Sequence, residues 1–204
     1  MSEKAKNGIR IVVIVLVSAA VGLVLGYLVS NQELRYMFSR EYRDTVKGIE
    51  IYTCGTINEE NYLAHKSMLA YAPEELAECC GKIYFTGSEL PIPANDTGFG
   101  QALGITQGNT VYVSTLTYGA DVVLHEMFHA YDHEHGMPSS NDGDFIVAFG
   151  EESERIRIAA ASESLLASEF YAESGAMYII SPFELRIRAP KTYSYFNGIF
   201  GMYE

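Results

Sequence analysis

The chain has 204 residues, with 26 Asp or Glu against 14 Lys or Arg and a formal net charge of −12 at pH 7. That length allows one domain with its own core plus a short appendage. The acidity argues against nucleic acid or anionic lipid surfaces as partners and favours neutral or basic substrates.

The first ten residues form a short tail carrying Lys4, Lys6 and Arg10, and Ile11 to Val29 follows as nineteen residues without a charge. A stretch of that length spans a bilayer as a helix, and it is apolar on every face, which a core helix would not be. A cleaved signal peptide, giving a secreted protein, is the competing reading, but Leu28-Val29-Ser30-Asn31 is a poor cleavage site. The expectation is a single-pass signal anchor at 11–29. Arg35, Arg40, Arg43 and Lys47 balance the basic groups before it, so charge counting leaves orientation open. A short amino-terminal tail normally stays inside while the long following domain is translocated, which puts residues 48–204 outside the cytoplasm. Ser18, Gly22 and Gly26 follow a small-xxx-small spacing that suits weak homodimerisation within a membrane.

Beyond the anchor, residues 30–47 read as a juxtamembrane helical linker, continuing to about Val46. Ile49 to Thr53 reads as a strand and Asn58 to Tyr71 as a helix. Pro73 opens a short helix that Gly81 ends. Lys82 to Thr86 alternates like a strand, while residues 87 to 109, with Pro91, Pro93 and several glycines, read as a loop. Thr110 to Thr115 is a strand, Asn141 to Asp144 a polar turn, and Ser162 to Ile180 a helix. Ser181-Pro182-Phe183-Glu184 has the form of a capping box opening another helix. The sum is an α+β domain, mainly helical with a small sheet.

Cys54, Cys79 and Cys80 cannot all pair within the chain. Either Cys54 bridges to Cys79 or Cys80 in an oxidising compartment, or all three are buried thiols.

His125-Glu126-Met127-Phe128-His129 carries the chemistry. Positions i and i+4 share a helix face, so both imidazoles can point at one Zn²⁺, and Glu126 can reach a water on the open coordination position. The bland alternative is an amphipathic helix with merely exposed histidines. Val122, Val123, Met127, Phe128 and Tyr131 weigh against it by supplying the apolar surface of a buried helix. Zinc needs a third protein ligand. His135 fits the HExxHxxGxxH spacing, but that pattern wants glycine where this chain has Asp132. Glu169 is the other candidate. With Glu173 at i+4, one carboxylate can bind metal and the other can orient a ligand histidine, although two glutamates on a helix more often mark a solvated face. His133 and His135 sit just past the motif helix and read as exposed.

Three segments, HEMFHAYDHEHG, SEFYAESGAMYI and APKTYSYFNGIF, resemble the catalytic domain of anthrax lethal factor and its relatives, and the Pro-Pro endopeptidases are similar in the same places. The resemblance runs from about Val111 to Tyr203. It implies a zincin-like metallopeptidase domain with one zinc on His125, His129 and Glu169, Glu126 as general base, Glu173 and Asp132 as supporting residues, and a polypeptide substrate. It also implies that Val111, Tyr112, Val113 and Ser114 are the edge strand along which an extended substrate pairs. One departure stands out: the family carries a tyrosine seven residues before the glutamate ligand, and here that position is Ser162. The oxyanion donor must then come from elsewhere, with Tyr118, Tyr171 and Tyr193 as substitutes. The expected protein is a membrane-anchored extracytoplasmic zinc endopeptidase. The rivals are a silent zinc-binding ectodomain that docks a partner protein, and a metzincin-like enzyme using His135.

Overall fold

The computed structural model describes residues 40–88, 90, 103–116, 119–156 and 166–203. The tail at 1–10, the apolar stretch 11–29 with its small-residue face, and the linker up to residue 39 lie outside them. Among the described residues no helix is long and apolar enough to cross a membrane.

The first described element corrects an expectation. Arg40–Val46 is a strand, β1, and not the end of a helical linker. Lys47 and Gly48 have φ of 49° and 81°, the positive pair of a two-residue hairpin turn whose twist suits the flanking strands. The turn joins β1 to β2, Ile49–Cys54, and all of β1 after Arg40 falls within the compact unit that begins at Glu41. A helix α1, Glu59–Met68, follows; Asn58 caps it by accepting from the Asn61 amide at 3.1 Å. A 3-10 turn, Leu69–Tyr71, and the short α2, Glu74–Glu78, lead to β3, Lys82–Thr86. Residues 87–109 are not all loop, because Gly104–Gln107 forms β4, paired antiparallel with β5, Thr110–Ser114. Gly108 has φ 60° between them, and a Gly-Asn pair between two strand runs is a hairpin signal in its own right.

The sheet order is β1-β2-β3-β5-β4, with β2, β3 and β5 parallel. Alternate residues on one face, Ile49, Ile51, Ile83, Phe85, Val111 and Val113, are wholly buried, as the two-residue period of a strand dictates. On the other face Tyr52, Tyr84 and Tyr112 are in register and stack at 5.1 and 5.3 Å.

The remaining helices are α3, Val122–Glu134; α4, Pro138–Asn141; α5, Gly143–Glu152; α6, Leu166–Ile180; α7, Pro182–Arg188; and α8, Pro190–Phe200. Helix α7 starts at Pro182 as expected, but Ser181 makes no side-chain cap, so the capping box is not formed. The residues expected as a polar turn are divided between the end of α4 and the start of α5, where Asp142 accepts from the amides of Asp144 and Phe145. All three cysteines are buried free thiols, and burial pushes Cys80 up to about 12, far from a reactive thiolate.

One contact sets the geometry of the site. Phe128 of α3 is fully buried against Tyr171, Phe196 and Phe200, and a Cβ placed on Gly175 of α6 would lie 2.5–2.6 Å from its ring. The absent side chain lets α3 and α6 approach closely, which brings the histidines of one helix to the glutamates of the other.

Candidate metal centre

Helix α3 presents His125 and His129 on one face, and α6 presents Glu169 opposite. His125 Nε2 lies 3.1 Å from His129 Nε2 and 3.2 Å from Glu169 Oε2, and His129 Nε2 lies 3.4 Å from Glu169 Oε1. A tetrahedral zinc with bonds near 2.0–2.1 Å requires its ligand atoms to stand about 3.3 Å apart. The two histidine nitrogens stand near that distance from each other, and each stands near it from one oxygen of the Glu169 carboxylate, Oε2 for His125 and Oε1 for His129. Two imidazole nitrogens turned toward each other beside a carboxylate also form an awkward hydrogen-bonded set but a fitting donor set for a divalent cation. Among the described residues this is the one such cluster of three.

The far side of each ring is held as well. His125 Nδ1 faces Glu173 Oε2 at 3.4 Å, and His129 Nδ1 faces Ser168 Oγ at 3.2 Å. Such partners fix the ring orientation and the tautomer that leaves Nε2 free for metal. The charges are tightly linked. Burial alone would lower His125, but the carboxylates of Glu169 and Glu173, with the charge of Glu126, raise it to about 10. Burial would raise Glu169, yet its two histidine partners hold it at about 2. The pocket is built to hold positive charge.

Glu126 is 7% exposed. Its Oε2 is 2.7 Å from the hydroxyl of Thr106 on β4, which is also 2.8 Å from the Glu126 carbonyl oxygen. A Cβ on Gly104, two residues earlier, would collide with the Glu126 side chain. Neither Gly104 nor Thr106 was legible as a site residue, because both lie in a segment that reads as loop. Ser168 was equally hidden, being an ordinary helix serine until α6 is docked.

Several expectations are corrected here. Asp132 does not support the histidines, since both its carboxylate oxygens accept from Ser139, one from the amide at 2.8 Å and one from the hydroxyl at 2.7 Å. It anchors the start of α4. Val111, Tyr112, Val113 and Ser114 are not an edge strand, because β5 is paired on one side with β3 and on the other with β4. Val111 and Val113 point into the core, Tyr112 stacks on Tyr84, and the Ser114 hydroxyl donates to Ser88 O. His135 does not join the cluster; its ring stacks on Tyr131 at 3.9 Å, at the end of α3. Tyr171 is fully buried in the aromatic core, and Tyr193 packs on Tyr178 beneath Arg186. Both are committed to packing rather than to an oxyanion, while Ser162 and Tyr118 lie outside the described residues. The Pro190-Lys191-Thr192 segment is likewise structural, since the buried Glu152 accepts from the amides of Lys191 and Thr192 and from the Thr192 hydroxyl, capping α8.

The chain is therefore an α+β domain in which a small mixed sheet supports two apposed helices bearing a two-histidine, one-carboxylate donor set. This fold is similar to that of the Pro-Pro endopeptidase PPEP-2 from Paenibacillus alvei, with a TM-score of 0.57 and 20% identity over 74% of this chain and 97% of that one. No protein-family model matches the sequence, and no curated protein matches it.

Proposed function

We propose that this protein is a zinc-dependent endopeptidase of the lethal-factor and Pro-Pro endopeptidase type, anchored in a membrane by residues 11–29 with its catalytic domain outside the cytoplasm. The observation that carries the reading is the convergence of His125 Nε2, His129 Nε2 and the Glu169 carboxylate, at metal-ligand spacing, beside the buried Glu126. The likeness in fold to PPEP-2 supports the same class.

Those three residues would hold the zinc, which would supply a Lewis acid for a peptide carbonyl and for a water nucleophile at neutral pH. Glu126 removes the proton from the attacking water and returns it to the leaving amine. Glu173 and Ser168 keep the imidazoles turned so that Nε2, not Nδ1, faces the cation. Among the described residues β4 ends the sheet, and an extended polypeptide adds to it by backbone pairing, next to Glu126.

The test is zinc stoichiometry and peptide-library cleavage by the full chain, for wild type, Glu169→Ala, His135→Ala and Glu126→Gln. One zinc in wild type and His135→Ala, loss in Glu169→Ala, and cleavage abolished in zinc-loaded Glu126→Gln support the reading. A wild-type chain that holds no zinc refutes it. Zinc without cleavage of any library peptide favours a silent ectodomain that binds a protein partner.

A further inference from the structure

The hairpin of β4 and β5 decides which backbone groups face the open edge of the sheet. The Ser114 amide donates to Leu103 O at 2.8 Å, so Leu103 and Ser114 form a hydrogen-bonded pair. Register then alternates along the ladder: Ile105 with Tyr112 and Gln107 with Thr110 are bonded pairs, while Gly104 with Val113 and Thr106 with Val111 are not. The amide and carbonyl groups of Gly104 and Thr106 are therefore turned away from β5, toward the edge where a substrate strand would add.

The same two residues face Glu126 with their side-chain positions. Thr106 offers its hydroxyl to the Glu126 carboxylate at 2.7 Å, and Gly104 leaves the space that carboxylate fills. With a single proton, the hydroxyl serves one acceptor at a time, and the charged carboxylate is the stronger of its two. From this we infer that Thr106 is a positioning residue for the general base, and that Gly104 and Thr106 join substrate pairing to base alignment. A peptide that docks on β4 grips the backbone of the very residues whose other face holds Glu126. The two functions are separable, because the backbone groups that pair with substrate survive replacement of the Thr106 side chain.

This inference rests on the endopeptidase reading, and its test distinguishes the two. Thr106→Val keeps the shape and β-branching of the side chain and removes the hydroxyl; Thr106→Ser keeps the hydroxyl. With zinc loaded to wild-type stoichiometry, Thr106→Val is expected to lose about tenfold or more in kcat, the scale of a hydrogen bond to a charged group, with KM close to wild type. Thr106→Ser is expected to restore most of the loss. Independently of turnover, a double-mutant cycle of Thr106→Val and Glu126→Ala, which removes the acceptor, on the unfolding of the metal-free chain should show that the two substitutions are not additive. A cleaving wild type with Thr106→Val equally active, or Thr106→Ser as slow as Thr106→Val, or strict additivity in the cycle, overturns the inference and leaves the peptidase reading intact. A zinc-loaded wild type that cleaves nothing overturns the peptidase reading and the catalytic role of Thr106 with it.

Discussion

Gly175→Ala tests the link between packing and the metal centre. The added methyl would sit 2.5–2.6 Å from three ring atoms of Phe128, whereas carbon atoms settle about 3.5–4.0 Å apart, so something must withdraw by about 1 Å. The ring has nowhere to go, being fully buried among Tyr171, Phe196 and Phe200 with centroids 6.2, 5.5 and 5.8 Å away. The helices α3 and α6 must part instead. Overpacking of this kind costs about 1–3 kcal/mol, which for a domain of this size lowers Tm by roughly 2–12 °C. Zinc tolerates only about 0.2 Å of error in its ligand distances, so separating the histidines of α3 from Glu169 of α6 should also weaken zinc binding. Thermal unfolding of the metal-free chain and competitive zinc titration read the two effects. Phe128→Leu in the Gly175→Ala background should recover part of both. A Gly175→Ala protein with wild-type Tm and wild-type zinc affinity would refute the argument that this glycine sets the approach of the two helices.

Glu173→Gln keeps the shape but removes the charge facing His125 Nδ1 at 3.4 Å, and should weaken zinc roughly 10- to 100-fold; an unchanged affinity in a chelator competition would contradict the orienting role. Glu152→Ala strips the buried cap from the amides of Lys191 and Thr192 and should destabilise the domain by about 2–3 kcal/mol, read by denaturant unfolding, while zinc stoichiometry stays at wild type. The pH profile of the metal-free chain follows from the two shifted groups. Glu169, lowered from 4.5 to about 2, contributes stability that is present above pH 4.5 and lost as pH falls toward 2. His125, raised from 6.5 to about 10, contributes stability that is present below pH 6.5 and lost as pH rises toward 10. Both contributions coexist between pH 4.5 and 6.5, where Tm of the metal-free chain should stand highest relative to a Glu169→Gln, His125→Gln double variant; a difference that does not fall as pH drops below 4.5 or rises above 6.5 would contradict it. Zinc must displace the His125 proton, so its affinity should rise with pH through the neutral range, as calorimetry in buffers of different ionisation enthalpy would show.

What the sequence determined by itself is what depends on neighbours within one element. His125, Glu126 and His129 acquire their relation from helical periodicity alone, as do Glu169 and Glu173, and the alternation of Lys82 to Thr86 and Thr110 to Ser114 locates two strands almost to the residue. Between elements, the residues by themselves left the choices open; the resemblance favoured Glu169, and the tertiary structure supplied the physical reason. Glu169 rather than His135 completes the donor set because Gly175 lets α6 dock against Phe128, while the chain after α3 carries His135 onto Tyr131. Asp132 has helical spacing that suits the site, yet Ser139 of the next helix takes both its oxygens. The edge beside Glu126 is β4 and not β5 because a glycine-bearing segment of four residues gains strand structure from its partner, not from its own propensity. Thr106 and Ser168 became visible for the same reason: a hydroxyl has no role until another element brings it an acceptor or a ring nitrogen.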